Sequence, residues 1–435
     1  MPGLLQTLGM LSRPHGFLER CRRRYGDVFA LNVAPYGRMV FLADPDLIRE
    51  VFTGDTRLFH VGGVRGRVLS PMLGEHSLLL LDEEDHMRER KLMLPAFHGE
   101  ALRRYPELIE EIAEAEVAAW PVGEPVALRP RMQAITLEVI LRLVIGVRDP
   151  DTLARLRALL SDLLDQPTTL LFLATAVNRD ISWFAPWRRF LSIRAAVDEL
   201  IYREIARRRA DPSGDDILAL LVQSSGDALS DEELRDELMT LLIAGHETTA
   251  TALAWAFERL TRHPAVLARL REGDPAYLDA VIKETLRVRP VVMEVGRDVT
   301  EATKIGRWEL PAGTRVMSSI GLVQRADERW GDGRTFRPER FLDAQPAPYT
   351  WIPFGGGPRR CIGASFATTE MAAIIPVVLR HFDLQPDRPE PERSQTRNVT
   401  QVPARGARAI LTRRPPKPPS PQDAGEGTET AAIRA

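Results

Sequence analysis

One uninterrupted helical stretch constrains the fold more than any other feature. Ser230 is followed three residues later by Glu233, the spacing of a capping box, and helical texture continues to His263 before Pro264. That is roughly 30 residues, on the order of 45 Å of helix at 1.5 Å per residue. A rod of this length crosses the whole molecule, so the rest of the chain must be organised around it.

The surroundings are mostly helical too. Amphipathic runs at 103 to 119, 131 to 146, 151 to 166 and 189 to 210 predict helices, and Asp82 is placed to cap another through EEDHMRERKLM. Pro275 after Asp274 opens a helix that ends near Arg289, before Pro290. Apolar β-prone runs at 28 to 33 and 38 to 43, separated by PYG, predict an early hairpin. A second hairpin-like stretch is RWELPAGTRVMSSI, 307 to 320. The expected fold class is therefore mainly α with a small β region (α+β). No linker divides the chain, so residues 1–412 read as one domain. The proline-rich, polar residues 413–435 read as a disordered tail.

Composition narrows the function. A formal charge of -2 gives no bulk pull toward nucleic acid or an anionic membrane. The N-terminal MPGLLQTLGMLSRPHG lacks a basic n-region, and no apolar run reaches the roughly 18 residues of a span. Only two cysteines occur, Cys21 and Cys361, too few for a disulfide framework or a zinc site. A soluble cytoplasmic protein is expected.

Cys361 stands in FGGGPRRCIG, 354 to 363, just before a helical run. Backbone N–H groups and the positive end of a helix dipole lower a thiol pKa there. Such a cysteine serves as a nucleophile, as a metal ligand, or as a small buried hydrophobe. A single thiolate suffices for haem iron, whose equatorial ligands come from the porphyrin. Phe354, Gly357, Arg359, Cys361 and Gly363 follow the spacing F-x-x-G-x-R-x-C-x-G, which resembles the haem-binding loop of the cytochrome P-450 superfamily. The resemblance implies Cys361 as axial iron ligand and Arg359 as partner of a haem propionate. Glycines including Gly355 and Gly363, beside Phe354, let the backbone pass close to the porphyrin.

Other segments resemble the same family, in its order, over about 15 to 412. AGHETT, 244 to 249, lies within the long helix. It is not a zinc-protease HExxH, because Ala250 holds the second histidine position. It looks like the oxygen-activating segment, which makes Glu247 and Thr248 the acid and alcohol of proton delivery, with Ala244 and Gly245 small enough for a flat cofactor to approach. His246 and Thr249 are expected to serve packing or local hydrogen bonding. Glu284 and Arg287 form an ExxR pair on one helix face; the pattern recurs at Glu19/Arg22 and Glu204/Arg207, but those come before the long helix, whereas this pair follows it and precedes both FRPERF and the cysteine loop. The resemblance implies a buried network of Glu284, Arg287 and Arg340. His86, Arg90 and Arg297 match the family's further propionate partners.

The implied activity is that of a haem-thiolate monooxygenase placing one oxygen atom from O₂ into a hydrophobic small molecule, such as a terpenoid, steroid or fatty acid. The cofactor is haem b, and electrons come ultimately from NAD(P)H through a separate ferredoxin or flavodoxin and its reductase. Arg88, Lys91, Arg103, Arg104 and Arg360 are candidates for the docking face. A monomer is expected. The alternatives are a peroxide-driven haem oxygenase and a non-catalytic haem sensor or carrier, neither of which needs the Glu247/Thr248 pair. The pocket would draw on 60 to 81, 165 to 187, the long helix before Thr248, and 291 to 295, where Glu294 is the polar exception.

Overall fold

The computed structural model describes residues 3–12, 14–34, 36–164 and 184–415. Its axis is the 31-residue helix Asp231–Thr261, the central helix, started by the Ser230/Glu233 capping box. It ends two residues before His263, which precedes the next helix, Pro264–Leu270. Between Leu234 and Thr261 every residue is buried except Ile243, Ala244, Gly245, Glu247 and Thr248. Over that span the helix is enclosed everywhere but at one mid-length opening.

Helices Leu128–Val139 and Ala185–Ala210 pack directly on the central helix, with Glu100–Ala118 and Pro150–Leu164 packed on those two in turn, all within a few residues of the predicted runs. Leu128–Val139 continues into a wider turn, Ile140–Ile145, whose Ile140 presses on the central helix. The helix Ala364–His381 follows the cysteine loop and packs on both Glu100–Ala118 and the central helix.

The β region is small. A five-stranded sheet has the order Val28–Val33, Gly37–Leu42, Arg315–Ser319, Glu294–Val299, Phe59–His60. The early hairpin forms as expected, with Val28 opposite Leu42. The second predicted hairpin does not. Trp308–Leu310 pairs backwards with Thr303–Ile305 around Gly306, whose φ of +53° suits a tight turn. Arg315–Ser319 instead joins the large sheet, parallel to Met39–Leu42 and antiparallel to Glu294–Asp298. Its buried Val316 and Ser318 find partners there that a local hairpin would not provide.

At the C-terminal end, the strand Arg408–Arg413 pairs with Phe382–Pro386, and Arg414 bonds the carbonyls of His381 and Leu379. The fold thus extends two residues past the expected boundary at 412. The predicted tail falls largely outside the described residues. No helix among the described residues is long and apolar enough to cross a membrane.

Candidate functional site

The cysteine loop is shaped by its glycines in two different ways. Gly357 has φ +64°, and a Cβ there would lie 1.8 Å from the Phe52 carbonyl oxygen. A Cβ on Gly356 would meet the Phe52 ring at 2.6 Å. Both glycines are therefore needed to seat the loop on the helix Pro45–Thr53, rather than to approach a ligand. Gly355 and Gly363 have nothing within 4 Å of a built Cβ, so they leave an open surface beside the cysteine. The Cys361 N–H donates to Phe354 O at 2.9 Å and closes the loop, while Phe354 packs edge-on against Trp351.

Cys361 is exposed, yet it is surrounded at longer range by protein. Burial pushes its thiol up, while a hydrogen bond from the Gly363 N–H and the charges of Arg90 and Arg360 pull it down. Those three groups favour a thiolate, the form that binds metal.

Four cationic or basic side chains converge beside it. His86 is 2% exposed and its Nδ1 has no partner. Burial, then the charges of Arg359, Arg90 and Arg297, push its imidazole down to about 3. Arg90, half-buried, has no acid partner among the described residues, and Cys361 is the group that raises its pKa against burial. Arg297 is buried, lies over the Phe52 ring at 5.5 Å, and donates to Gly296 O at 2.9 Å. Arg359 donates to the carbonyls of Leu78 and Leu81 and is bonded to Asp82. Asp82 was expected as a helix cap. Its Oδ1 instead accepts from Val61 N and Arg359, leaving Glu83–Met93 without a side-chain cap bond.

The opening in the central helix lies at mid-length. Ala244 is exposed there, and Thr248 Oγ1 donates to Ala244 O at 2.6 Å, a back-bond that loosens a helix turn. Gly245 faces elsewhere. A Cβ on it would come within 2.9 Å of Ile140, so its smallness serves helix packing rather than cofactor approach. Glu247 turns away from Thr248 and is bonded to Arg129, with Gln133 donating to its Oε2 at 2.7 Å. His246 is buried with Nδ1 2.9 Å from Thr136 Oγ1, and burial pushes it down to about 4. Level with this opening, Glu370 on Ala364–His381 faces Thr249 and is pushed well above the carboxylate range by burial.

Elsewhere, Glu284, Arg287 and Arg340 meet. Arg287 holds both oxygens of Glu284, at 2.7 and 2.8 Å, and Arg340 Nε reaches Oε1 at 3.1 Å. Arg287 also donates to the carbonyls of Gln324, Gly333 and Thr335. Glu294 faces Ser319 and Arg325 and is pushed up to about 7 by burial. Of the expected pocket segment 165 to 187, residues 165 to 183 lie outside the described residues. Arg88 and Arg104 are engaged with Glu233 and Glu100, at 2.7 and 2.9 Å. Lys91, Arg103 and Arg360 stay exposed.

Sequence reasoning missed Arg129, Gln133 and Glu370. The first two lie more than 110 positions from Glu247 and carry no local signature. Glu370 did carry one, as a lone acid in the apolar run ATTEMAAII.

An exposed thiol beside a cluster of basic side chains, in a fold whose buried central helix has one mid-length opening, fits a planar iron-bearing cofactor with two carboxylates. The donor set suits it: one soft ligand for iron, and guanidinium and imidazole groups for carboxylates. These features define a haem-thiolate class of protein. The chain belongs to the cytochrome P-450 family, whose model, described as Cytochrome P450, matches residues 2–408. It is 46% identical over 425 residues to cytochrome P-450 135B1 of Mycobacterium tuberculosis, covering 94% of this chain and 89% of that protein. It is 40% identical to cytochrome P-450 135A1 of the same organism, with 94% of each covered. Among solved structures, a retinoic acid-bound cyanobacterial CYP120A1 superposes with a TM-score of 0.81 at 23% identity, covering 94% of this chain and 96% of that one. The cytochrome P450DA heme domain gives 0.82 at 24%, covering 94% and 95%. Membership makes the chain a haem-thiolate monooxygenase that uses haem iron and O₂.

Proposed function

We propose that Cys361 is the axial ligand of haem b, and that His86, Arg90, Arg297 and Arg359 hold its carboxylates in a monooxygenase acting on a hydrophobic small molecule. The observation that carries this reading is the pair of unsatisfied basic groups, His86 and Arg90, in the cluster beside the thiol. His86 Nδ1 has no partner, and Arg90 has no acid. A partly buried guanidinium without a counter-ion is costly, and a cofactor carboxylate beside Arg90 and His86 relieves it.

Bound haem iron supplies O₂ binding and O–O cleavage, which thiolate donation favours. The chain supplies the remaining functions. Gly355 and Gly363 leave room for the ring. Ala244 keeps the opening clear, Thr248 presents its hydroxyl there, and Glu247 is the acid on the side toward Arg129 and Gln133. Glu284, Arg287 and Arg340 brace the approach to the cysteine loop from behind. Val291 and Met293 are buried and Ile243 is partly buried, an apolar lining that suits a terpenoid, steroid or fatty acid-like substrate. The retinoic acid held by one structural neighbour belongs to that chemical range.

Electrons come from NAD(P)H through a separate ferredoxin or flavodoxin. Exposed Lys91, Arg103 and Arg360 are its docking charges, with Arg88 and Arg104 already paired. Residues through 414 act as one catalytic domain, monomeric and cytoplasmic.

The deciding experiment is the absorbance spectrum of dithionite-reduced protein with carbon monoxide, beside Cys361→Ala. A strongly red-shifted Soret band in the wild type, absent from the variant, is expected. A wild-type band typical of histidine ligation would overturn the assignment.

A further inference from the structure

Two carboxyl groups are fully enclosed where the helix Glu83–Met93 meets the central helix. Glu89 and Glu237 are both 0% exposed. Glu237 Oε1 accepts from Leu78 N at 2.8 Å, tying the segment 74–82 to the central helix, while Oε2 has no donor. Arg88 Nη2 comes within 2.6 Å of Glu89 Oε1 but makes no hydrogen bond to it, and Oε2 is likewise without a donor. Ionised carboxylates only accept hydrogen bonds, so nothing joins these oxygens if both are charged.

The surrounding charges do not resolve this. From its own helix, Glu89 faces Arg88 and Asp85; from the central helix, Glu233; and from the segment 74–82, His76. Glu237 faces Glu89, Asp236 and Glu233. Arg88 is divided between Glu89 and Glu233, which it reaches at 2.7 Å. Asp236 has its own partners, Arg235 at 2.8 Å and the His76 N–H at 2.9 Å, and Arg235 is also bonded to Asp198 on Ala185–Ala210. Among the described residues no cation remains for Glu237. Burial pushes its carboxyl well above the usual range, with the Glu89 charge adding to the shift, and burial raises Glu89 as well.

We propose that Glu89 and Glu237 share one proton, carried on Glu237 Oε2 and donated to Glu89, and that this bond positions the helix bearing His86 and Arg90 against the central helix. Glu237 and Glu89 are then positioning residues: they touch neither thiol nor substrate. The positioning half rests on the reading of His86 and Arg90 as the haem-carboxylate cradle. A carboxyl held above its ordinary pKa stabilises the fold at acidic pH, and that contribution is lost as the pH rises toward its folded value. Losing the proton leaves two like charges acting on each other across a low-dielectric interior.

The test uses the haem-loaded full chain, Glu237→Gln and Glu89→Gln. In infrared spectra near neutral pH, the wild type shows protonated-carboxyl C=O absorption, part of which disappears in Glu237→Gln, while that from Glu370 persists. Haem transfer to excess apomyoglobin accelerates about tenfold in the wild type between about pH 6 and about pH 9, and less than about twofold in either variant, whose amide is a permanent donor. Unchanged infrared absorption in Glu237→Gln overturns the shared proton. A wild-type release rate flat with pH, or the same pH profile in both variants, overturns the positioning role. Arg90→Ala separates the readings: if it leaves haem release unchanged, the cradle itself is wrong, while the infrared arm still judges the proton.

Discussion

Arg129, at the start of the helix Leu128–Val139, is bonded to Glu247 in the middle of the central helix, and Gln133 one turn on holds the other carboxylate oxygen. The acid proposed for proton delivery is thus tethered on the side away from Thr248. Both side chains are largely enclosed, so removing the arginine leaves an uncompensated carboxylate. Arg129→Gln should lower unfolding stability by about 3 kcal/mol. In the double variant with Glu247→Gln most of that loss should be recovered. Urea unfolding of the four proteins gives the coupling, and additive losses would mean that the pair carries none.

Glu284 and Arg287 have side chains with 0% exposure, and the arginine also satisfies three backbone carbonyls. Arg287→Leu should therefore destabilise the fold by roughly 3–5 kcal/mol. Arg287→Lys should recover little, because an ammonium cannot reproduce the two parallel bonds to Glu284. Denaturant midpoints compare the two variants, and a Lys variant equal to wild type would show the fork to be dispensable.

The loop glycines should separate stability from cofactor binding. Gly357→Ala forces a Cβ against the Phe52 carbonyl at a positive φ, and should cost about 3 kcal/mol or more. Gly363→Ala meets no protein atom within 4 Å and should fold normally with weakened haem retention. Thermal unfolding and haem titration of both variants check this, and the prediction fails if Gly363→Ala binds haem as tightly as wild type.

Enclosure of its carboxyl pushes Glu294 up to about 7, well above an ordinary glutamate. A raised acid binds its proton more tightly folded than unfolded. Its contribution is complete below about pH 4.5 and declines until about pH 7, a loss of roughly 3 kcal/mol at most. Glu294→Gln should flatten the wild-type stability profile over that window. Overlapping profiles in chemical denaturation would show that the carboxyl is ionised throughout.

The sequence by itself determined the local elements. The central helix follows from a capping box, an unbroken helical run and a proline, all signals that act within a few residues. The early hairpin was equally legible, from alternating β-prone runs about a turn. The cysteine loop and the ExxR pair were readable because their spacing resembles a family whose members share it. Tertiary structure decided the partners. Trp308–Leu310 and Arg315–Ser319 looked like one hairpin, yet each pairs elsewhere, because strand pairing depends on which edges the fold brings near. Gly245 and Gly357 read as room for a cofactor, but their space is taken by Ile140 and Phe52, residues distant in sequence. Arg129 on Glu247, and Glu89 beside Glu237, are encounters between helices. Burial and charge there depend on packing in three dimensions, which no local spacing encodes.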